Sequence, residues 1–440
     1  FFLTYMKSYV QISFCKESLR TRNSLMSRTT HAPSIGRMRA SGMRKVNAAL
    51  LLDIIRDKGF VSRAELARLS GLTKPTVSSQ VADLIERGIV VEDGEGSPDA
   101  RGGKPPTMLR FDADCGSLIA AEIGSSTVRV WLADLDGRPI DFETSPINTA
   151  LGAAHVLDVL CSAIQSILSR GHARKRHLLS ISIAAPGRVD ASTGTVLEAG
   201  NVFHWRNVEV RRRIEDHFGV PTLVENDVNL AALGEMHSGL AAGVQNFILV
   251  RLGTGVGAGL VLGGRLYQGT HWAAGEIGHM IFDRTAAAEQ DVVERGLLEL
   301  AIGSDRVRER VISAQAAQSA VSSFLPGDDL AAELADLVHR NDEAAARVLD
   351  EVASQISIAV ADMAATIDPE LIVLAGDLFG LVADRIRELV GRVIPWPVRI
   401  ELSALGADAA LMGAMGSARG QAHDLLCDLG RNEIQLSTLR

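Results

Sequence analysis

Two hairpins, each folded over a glycine-rich turn, constrain this chain more than any other feature. LIAAEI (Leu118–Ile123) and VRVWLADLDG (Val128–Gly137) are joined through EIGSST (Glu122–Thr127). NFILVRLG (Asn246–Gly253) and GAGLVLGG (Gly257–Gly264) are joined through GTGVGAG (Gly253–Gly259). Short apolar runs bounded by glycine or Asp-Gly read as paired strands. A helix and another strand follow each hairpin: 153–170 and Leu178–Ala184 in the first half, 342–367 and Leu371–Gly376 in the second. Asp377 then leads into a helix over 378–393. The recurrence predicts an α/β body of two similar lobes with a cleft between them, where small ligands usually bind. A strand, not a helix, follows each turn, so neither is a dinucleotide fingerprint. The glycines either close a tight hairpin or let backbone N–H groups approach a phosphate.

Ahead of this body the charge changes sign. Residues 1–110 hold 18 Lys/Arg against 10 Asp/Glu, while residues 111–440 hold 27 against 43, within a net charge of −8. Residues 1–43 read as a basic arm outside the fold. Arg44–Gly59 places Val46, Leu50, Ile54 and Ile55 at helical spacing. Ser62 and Glu65 form a capping-box pair, and a short helix runs to Ser70. Gly71-Leu72 turns the chain, Thr73 caps the next helix, and Pro75 sits in its first turn. That helix, 74–87, has Val77, Val81, Leu84 and Ile85 on one face, and Lys74, Thr76, Ser78, Ser79 and Gln80 are expected on the exposed side. Strands over 89–92 and 107–111 flank a basic, glycine-rich tip containing Arg101 and Lys104. Residues 44–112 therefore read as a winged helix-turn-helix for duplex DNA, Gln80 reading a base and the tip touching phosphates. A three-helix protein-interaction domain is the alternative.

No apolar run reaches the ~18–20 residues of a membrane span. The apolar start FFLTYMKSYVQISFC is broken by Lys7 and precedes no small-residue cleavage site, so it is not read as a signal peptide. The four cysteines, Cys15, Cys115, Cys161 and Cys427, are widely spaced and suggest neither a disulfide framework nor a cysteine zinc site. A cytoplasmic protein is expected.

Three segments carry candidate chemistry. ENDVNLAALGE (Glu225–Glu235) sets Asp227 between a strand and a helix, as a cap or as a general base. GEIGHM (Gly275–Met280) holds Glu276 and His279; with Asn226 and Asp227 they supply the directed donors and acceptors that a polyhydroxyl ligand needs. The final strand ends in Ala375-Gly376-Asp377. Taken in order, together with AAPGRVD (Ala184–Asp190) and SALGADAALMGAM (Ser403–Met415), these segments resemble the ROK family of sugar kinases and transcriptional repressors over nearly all of residues 44–420.

The resemblance implies an N-terminal winged helix-turn-helix and, over 113–420, an α/β bilobal actin-like body of the hexokinase, ribonuclease H-like type, with 421–440 as a tail. It implies sugar contacts from Asn226, Asp227, Glu276, His279 and Glu299, with Asp227 as the kinase-type base. It implies a nucleotide and phosphate side made of Glu122, Gly124, Ser126, Gly253, Thr254, Gly255 and Gly376. Three departures count against phosphoryl transfer. The first turn reads Glu122-Ile123-Gly124-Ser125-Ser126 where the family has D-x-G-G-T. The Gly-Gly pair is Ala375-Gly376. The family's zinc motif is replaced by AAAEQDVVERGLLE (Ala286–Glu299), which has no cysteine. The expected protein is a non-catalytic, zinc-free regulator that senses a sugar, binds an operator as a homodimer or homotetramer and has no membrane partner. The alternative is an active sugar kinase using ATP and Mg; a body serving only for dimerisation is a third reading.

Overall fold

The computed structural model describes residues 40–96, 105–171, 176–199, 205–282, 295–317 and 329–428. The head begins with α1 (Ala40–Lys58), four residues ahead of the expected start. Ala48, Leu51, Leu52 and Ile55 form its buried face, whereas Val46 is 57% exposed. At about 100° per residue Val46 falls opposite Ile55, so its apolar side chain had no place on that face. β1 (Val61–Ser62), α2 (Arg63–Ser70) and α3 (Lys74–Glu86) follow. Ser62 Oγ accepts the Glu65 N–H at 3.2 Å, while the Glu65 carboxylate accepts from Arg68 at 3.5 Å. Thr73 accepts the Thr76 N–H at 3.4 Å and so caps α3. β2 (Val90–Glu95) and β3 (Thr107–Phe111) complete a three-stranded sheet of order β1-β3-β2.

In the first lobe, β4 (Gly116–Ile123), β5 (Thr127–Asp134) and β6 (Pro139–Pro146) form an antiparallel meander. Then come α4 (Ala153–Ser169), β7 (His177–Ala185), and a small sheet of β8 (Arg188–Asp190), β9 (Thr195–Glu198) and β10 (Arg206–Glu209). α5 (Val210–Phe218), β11 (Thr222–Asn226) and α6 (Asp227–Ser238) close this half. The second lobe has β12 (Phe247–Leu252), β13 (Val256–Leu262) and β14 (Arg265–Leu266). It continues through α7 (Leu297–Ile302), α8 (Ser304–Ala317), α9 (Leu330–His339) and α10 (Glu343–Ile367). β15 (Leu371–Ala375), α11 (Phe379–Val393), β16 (Arg399–Leu402) and α12 (Ala409–Cys427) end the described chain.

The two five-stranded sheets share one topology. Their orders are β6-β5-β4-β7-β11 and β14-β13-β12-β15-β16, each an antiparallel meander joined to two parallel strands. Packing on both faces explains why β4 and β15 are buried at every residue.

The helix that ends each half covers the other half's sheet: α6 packs on β12 and β13, and α12 on β4 and β7. α6 and α12 also press together at glycines. A Cβ on Gly413 would meet the Leu230 carbonyl oxygen at 1.8 Å, and one on Gly234 the Ala409 carbonyl oxygen at 2.2 Å. Residues 421–427, expected in a tail, instead extend α12 toward the head. Ala422, Leu426 and Cys427 share a buried core with Leu51, Leu52 and Ile55 of α1. No helix among the described residues is long and apolar enough to cross a membrane.

Candidate functional site

The end of β11 and the start of α6 carry Asn226 and Asp227. Asn226, not Asp227, caps α6: its Oδ1 accepts from the Val228 and Asn229 N–H groups at 2.9 and 3.0 Å. Its Nδ2 donates to the Gly187 carbonyl at 2.8 Å and to Asp227 Oδ1 at 3.2 Å. With the cap supplied by its neighbour, Asp227 turns its other oxygen, Oδ2, toward Arg251 Nη1 at 3.0 Å. Beneath the pair lies Glu225, buried, accepting from Asn226 N at 2.8 Å, from Asn229 Nδ2 at 3.0 Å and from Gln268 Nε2.

Arginines occupy the space between the glycine turns. Arg251 reaches from β12 to Asp227 and, through Nη2 at 3.5 Å, to Glu122 Oε1 at the end of β4. Arg129 on β5 donates to Glu122 through Nε at 2.9 Å and also through Nη2, and to Asp408 through Nη1 at 2.7 Å. Burial pushes the Asp227 carboxyl up from the ordinary aspartate range; Arg251 opposes the shift and Glu122 adds to it. Desolvation works against the Arg251 charge, but Asp227 and Glu122 outweigh it and raise its pKa.

Glu276 precedes, and His279 ends, a short 3-10 turn, Ile277–His279. Glu276 is exposed, yet desolvation by the surrounding protein raises its carboxyl pKa; His279 opposes, Asp227 and Glu299 reinforce, and Arg188 opposes. Three of the other four expected contacts, Asp227, His279 and Glu299, are thus within electrostatic reach of Glu276. Glu299, in the first turn of α7, accepts from Val256 N at 3.3 Å and from Arg295 Nε at 2.7 Å. Arg295 also donates to Asp305 at 2.8 Å and to the Thr254 carbonyl at 3.0 Å.

Each glycine turn is held by its own backbone. Gly124 N–H donates to the Thr127 carbonyl and the Ile147 N–H to the Ser126 carbonyl, at 2.9 and 2.8 Å. Gly253 N–H donates to the Gly255 carbonyl at 2.9 Å, and the Gly253 carbonyl accepts the Ser304 N–H at 2.8 Å. Gly376 has φ 126°, and a Cβ there would meet the Leu252 carbonyl oxygen at 2.0 Å. Much of the cysteine-free stretch, 286–294, lies outside the described residues.

On the head, Lys74, Ser78 and Ser79 are exposed along α3 and Thr76 is half-exposed. Gln80 is not on that surface. It is buried with Val77, Val81 and Leu84, because positions 77, 80, 81 and 84 share one helical face. Arg101 and Lys104 lie outside the described residues. The sequence reading missed Arg251, Arg129, Arg295, Glu225 and Gln268. Arg251 carried a usable signal, being the lone charge in the apolar strand FILVRL, which must find a partner or solvent.

The ROK family profile matches residues 118–420, and a winged helix-turn-helix DNA-binding profile matches residues 50–91. The xylose repressor of Caldicellulosiruptor bescii is 27% identical over 386 residues, covering 85% of this chain and 95% of the relative. A glucokinase of Halalkalibacterium halodurans is 31% identical over 262 residues, covering 59% of this chain and 79% of the relative. A solved ROK family transcriptional regulator, a homologue of the E. coli MLC protein, superposes with a TM-score of 0.71 at 24% identity, covering 88% of this chain and 98% of that one. The chain belongs to the ROK family, as a transcriptional regulator that joins a winged helix-turn-helix DNA-binding head to a sugar-kinase-like body.

Proposed function

We propose that the body binds a sugar between its lobes without phosphorylating it, and that binding alters the grip of the head on an operator. What supports this reading is that Asp227, His279 and Glu299 lie near enough to act on the Glu276 carboxyl, in a body whose helix α12 shares a core with the head. Carboxylate acceptors with a histidine suit sugar hydroxyls. Lys74, Thr76, Ser78 and Ser79 meet DNA from α3, and Arg101 and Lys104 add phosphate contacts from the wing.

Glu122, expected beside a metal and phosphate, is committed to Arg129, which ties β4 to the segment before α12. This supports a non-catalytic body. We also propose that no zinc is required. His279 has no cysteine near it in sequence, and the described cysteines, Cys115, Cys161 and Cys427, are buried singly elsewhere. The oligomer is proposed to be a homodimer or homotetramer, matched to paired half-sites and measurable by sedimentation.

The test is operator affinity by fluorescence anisotropy, with and without D-xylose, D-glucose or N-acetyl-D-glucosamine. A sugar should shift the affinity of the wild type, and Asp227→Asn should remove the shift while keeping ligand-free DNA binding. Lys74→Ala should weaken all sequences alike. The 31% identity to a glucokinase and the intact Asp227 keep kinase activity as the second reading. Turnover with ATP near the ~1–100 s⁻¹ of kinases would establish it.

A further inference from the structure

The fold implies a nucleotide with a divalent cation between the two glycine turns, and the residues present do not fit one. Such a pair needs carboxylate oxygens that face a hard cation and can exchange water for it. Here Glu122, beside the first turn, and Asp227, at the start of α6, share one guanidinium instead. Arg251 Nη1 is 3.0 Å from Asp227 Oδ2 and Arg251 Nη2 is 3.5 Å from Glu122 Oε1.

We propose that Arg251 is a resident cation that takes the place of the metal, and that it is the residue excluding a divalent cation from this cleft. Three observations bear on it. Arg251 comes from β12 of the second lobe and Glu122 from β4 of the first, so the ion pair bridges the lobes where a metal and phosphates would do so. The guanidinium is a fixed fork that serves two carboxylates at once and keeps its charge, whereas a lysine is a point charge. The remaining charge also opposes phosphate: Arg251 and Arg129 are shared among Glu122, Asp227 and Asp408, which leaves carboxylate in excess. A dication meets the guanidinium, a phosphate meets the surplus carboxylate, and an uncharged sugar meets neither obstacle. The inference rests on the sugar-receptor reading only for what the cleft then accepts; the metal question is answered without any sugar.

The experiment titrates Mn²⁺ into the full-length protein and follows free Mn²⁺ by electron paramagnetic resonance. Mn²⁺ is the probe because it takes oxygen ligands as Mg²⁺ does. The wild type should show no uptake that depends on Asp227, judged against Asp227→Asn. Arg251→Ala frees Asp227 Oδ2 and Glu122 Oε1, while Glu122 Oε2 stays with Arg129, and it should take up one Mn²⁺ at least about tenfold more tightly than the wild type, a gain lost again in Arg251→Ala/Asp227→Asn. Circular dichroism and operator binding verify folding. Arg251→Gln, which keeps an amide donor between the carboxylates, repeats the measurement if Arg251→Ala does not fold. Asp227-dependent Mn²⁺ uptake by the wild type overturns the proposal, and so does a folded Arg251 variant that takes up no more than the wild type. A failure of every sugar to bind, with the Mn²⁺ results as expected, would strike the sugar reading alone.

Discussion

Gln80 sits in α3 with its side-chain carbonyl buried and without a hydrogen-bond partner among the described residues. A buried acceptor left unpaired costs about 1–3 kcal/mol. Gln80→Met, which keeps the volume and removes the acceptor, should raise stability by about 1 kcal/mol in thermal denaturation. It should leave base preference in an operator selection unchanged, since the residue faces the core. Glu225 offers a pH test. Burial raises its carboxyl pKa, against the pull of Asn229, Asn226 and Gln268. A carboxyl whose pKa is raised by folding favours the native state most when protonated. Its contribution is full below the ordinary value of 4.5 and is lost as pH rises through the folded value. The Tm of the wild type minus that of Glu225→Gln should therefore increase as pH is lowered from about 7 toward 4.5. A difference that shrinks on acidification would reverse the assigned sign.

At the scale of elements, the contact of α6 with α12 depends on the missing side chains of Gly234 and Gly413. Gly413→Ala drives a methyl into the Leu230 carbonyl and should destabilise by about 1–3 kcal/mol. Gly420 lies on the same helix with nothing within 4 Å of its would-be Cβ. Gly420→Ala should therefore stabilise by roughly 0.5–1 kcal/mol through helix propensity alone. Chemical denaturation of the two variants in parallel separates packing from propensity, and equal effects would mean that the helices do not touch as described. Asp227 opens α6, so this pair also fixes how the site residue sits against the rest of the fold.

Beside the apolar core that the head shares with α12, one arginine of the head reaches the body at several points. Arg56 of α1 donates through Nη2 to the Leu135 carbonyl at 3.0 Å and stands 3.4 Å from His423 Nδ1 on α12. Its guanidinium lies 3.9 Å over the Phe111 ring. The helices α6, α12 and α1 thus form a packed series from Asp227 to the DNA-binding head. Spatial continuity is not coupling until two states are measured. Arg56→Ala should leave sugar affinity and operator affinity each within a few-fold of the wild type. It should bring the sugar-dependent change in operator affinity, ordinarily about 1–3 kcal/mol of coupling, toward zero. Calorimetry for the sugar and anisotropy for the DNA check both ends, and a coupling as large as that of the wild type would remove Arg56 from the junction.

Local chemistry alone determined much of this protein. Apolar runs over glycine turns specify β4–β5 and β12–β13, and Ser62 and Thr73 specify the starts of α2 and α3, because strand pairing and capping depend on near neighbours. The positions of Asn226, Asp227, Glu276 and His279 were legible for the same reason: each lies at the end of a locally encoded element. Tertiary structure decided what those residues face. The choice of Asn226 over Asp227 as cap, the burial of Gln80, the exposure of Val46 and the return of residues 421–427 onto the head all depend on which side of a helix meets another element. The three arginines that pair with these carboxylates come from β5, β12 and the segment before α7. Long-range Coulomb pairing leaves no periodic trace in a sequence, so only the folded chain brings Arg251 between Glu122 and Asp227.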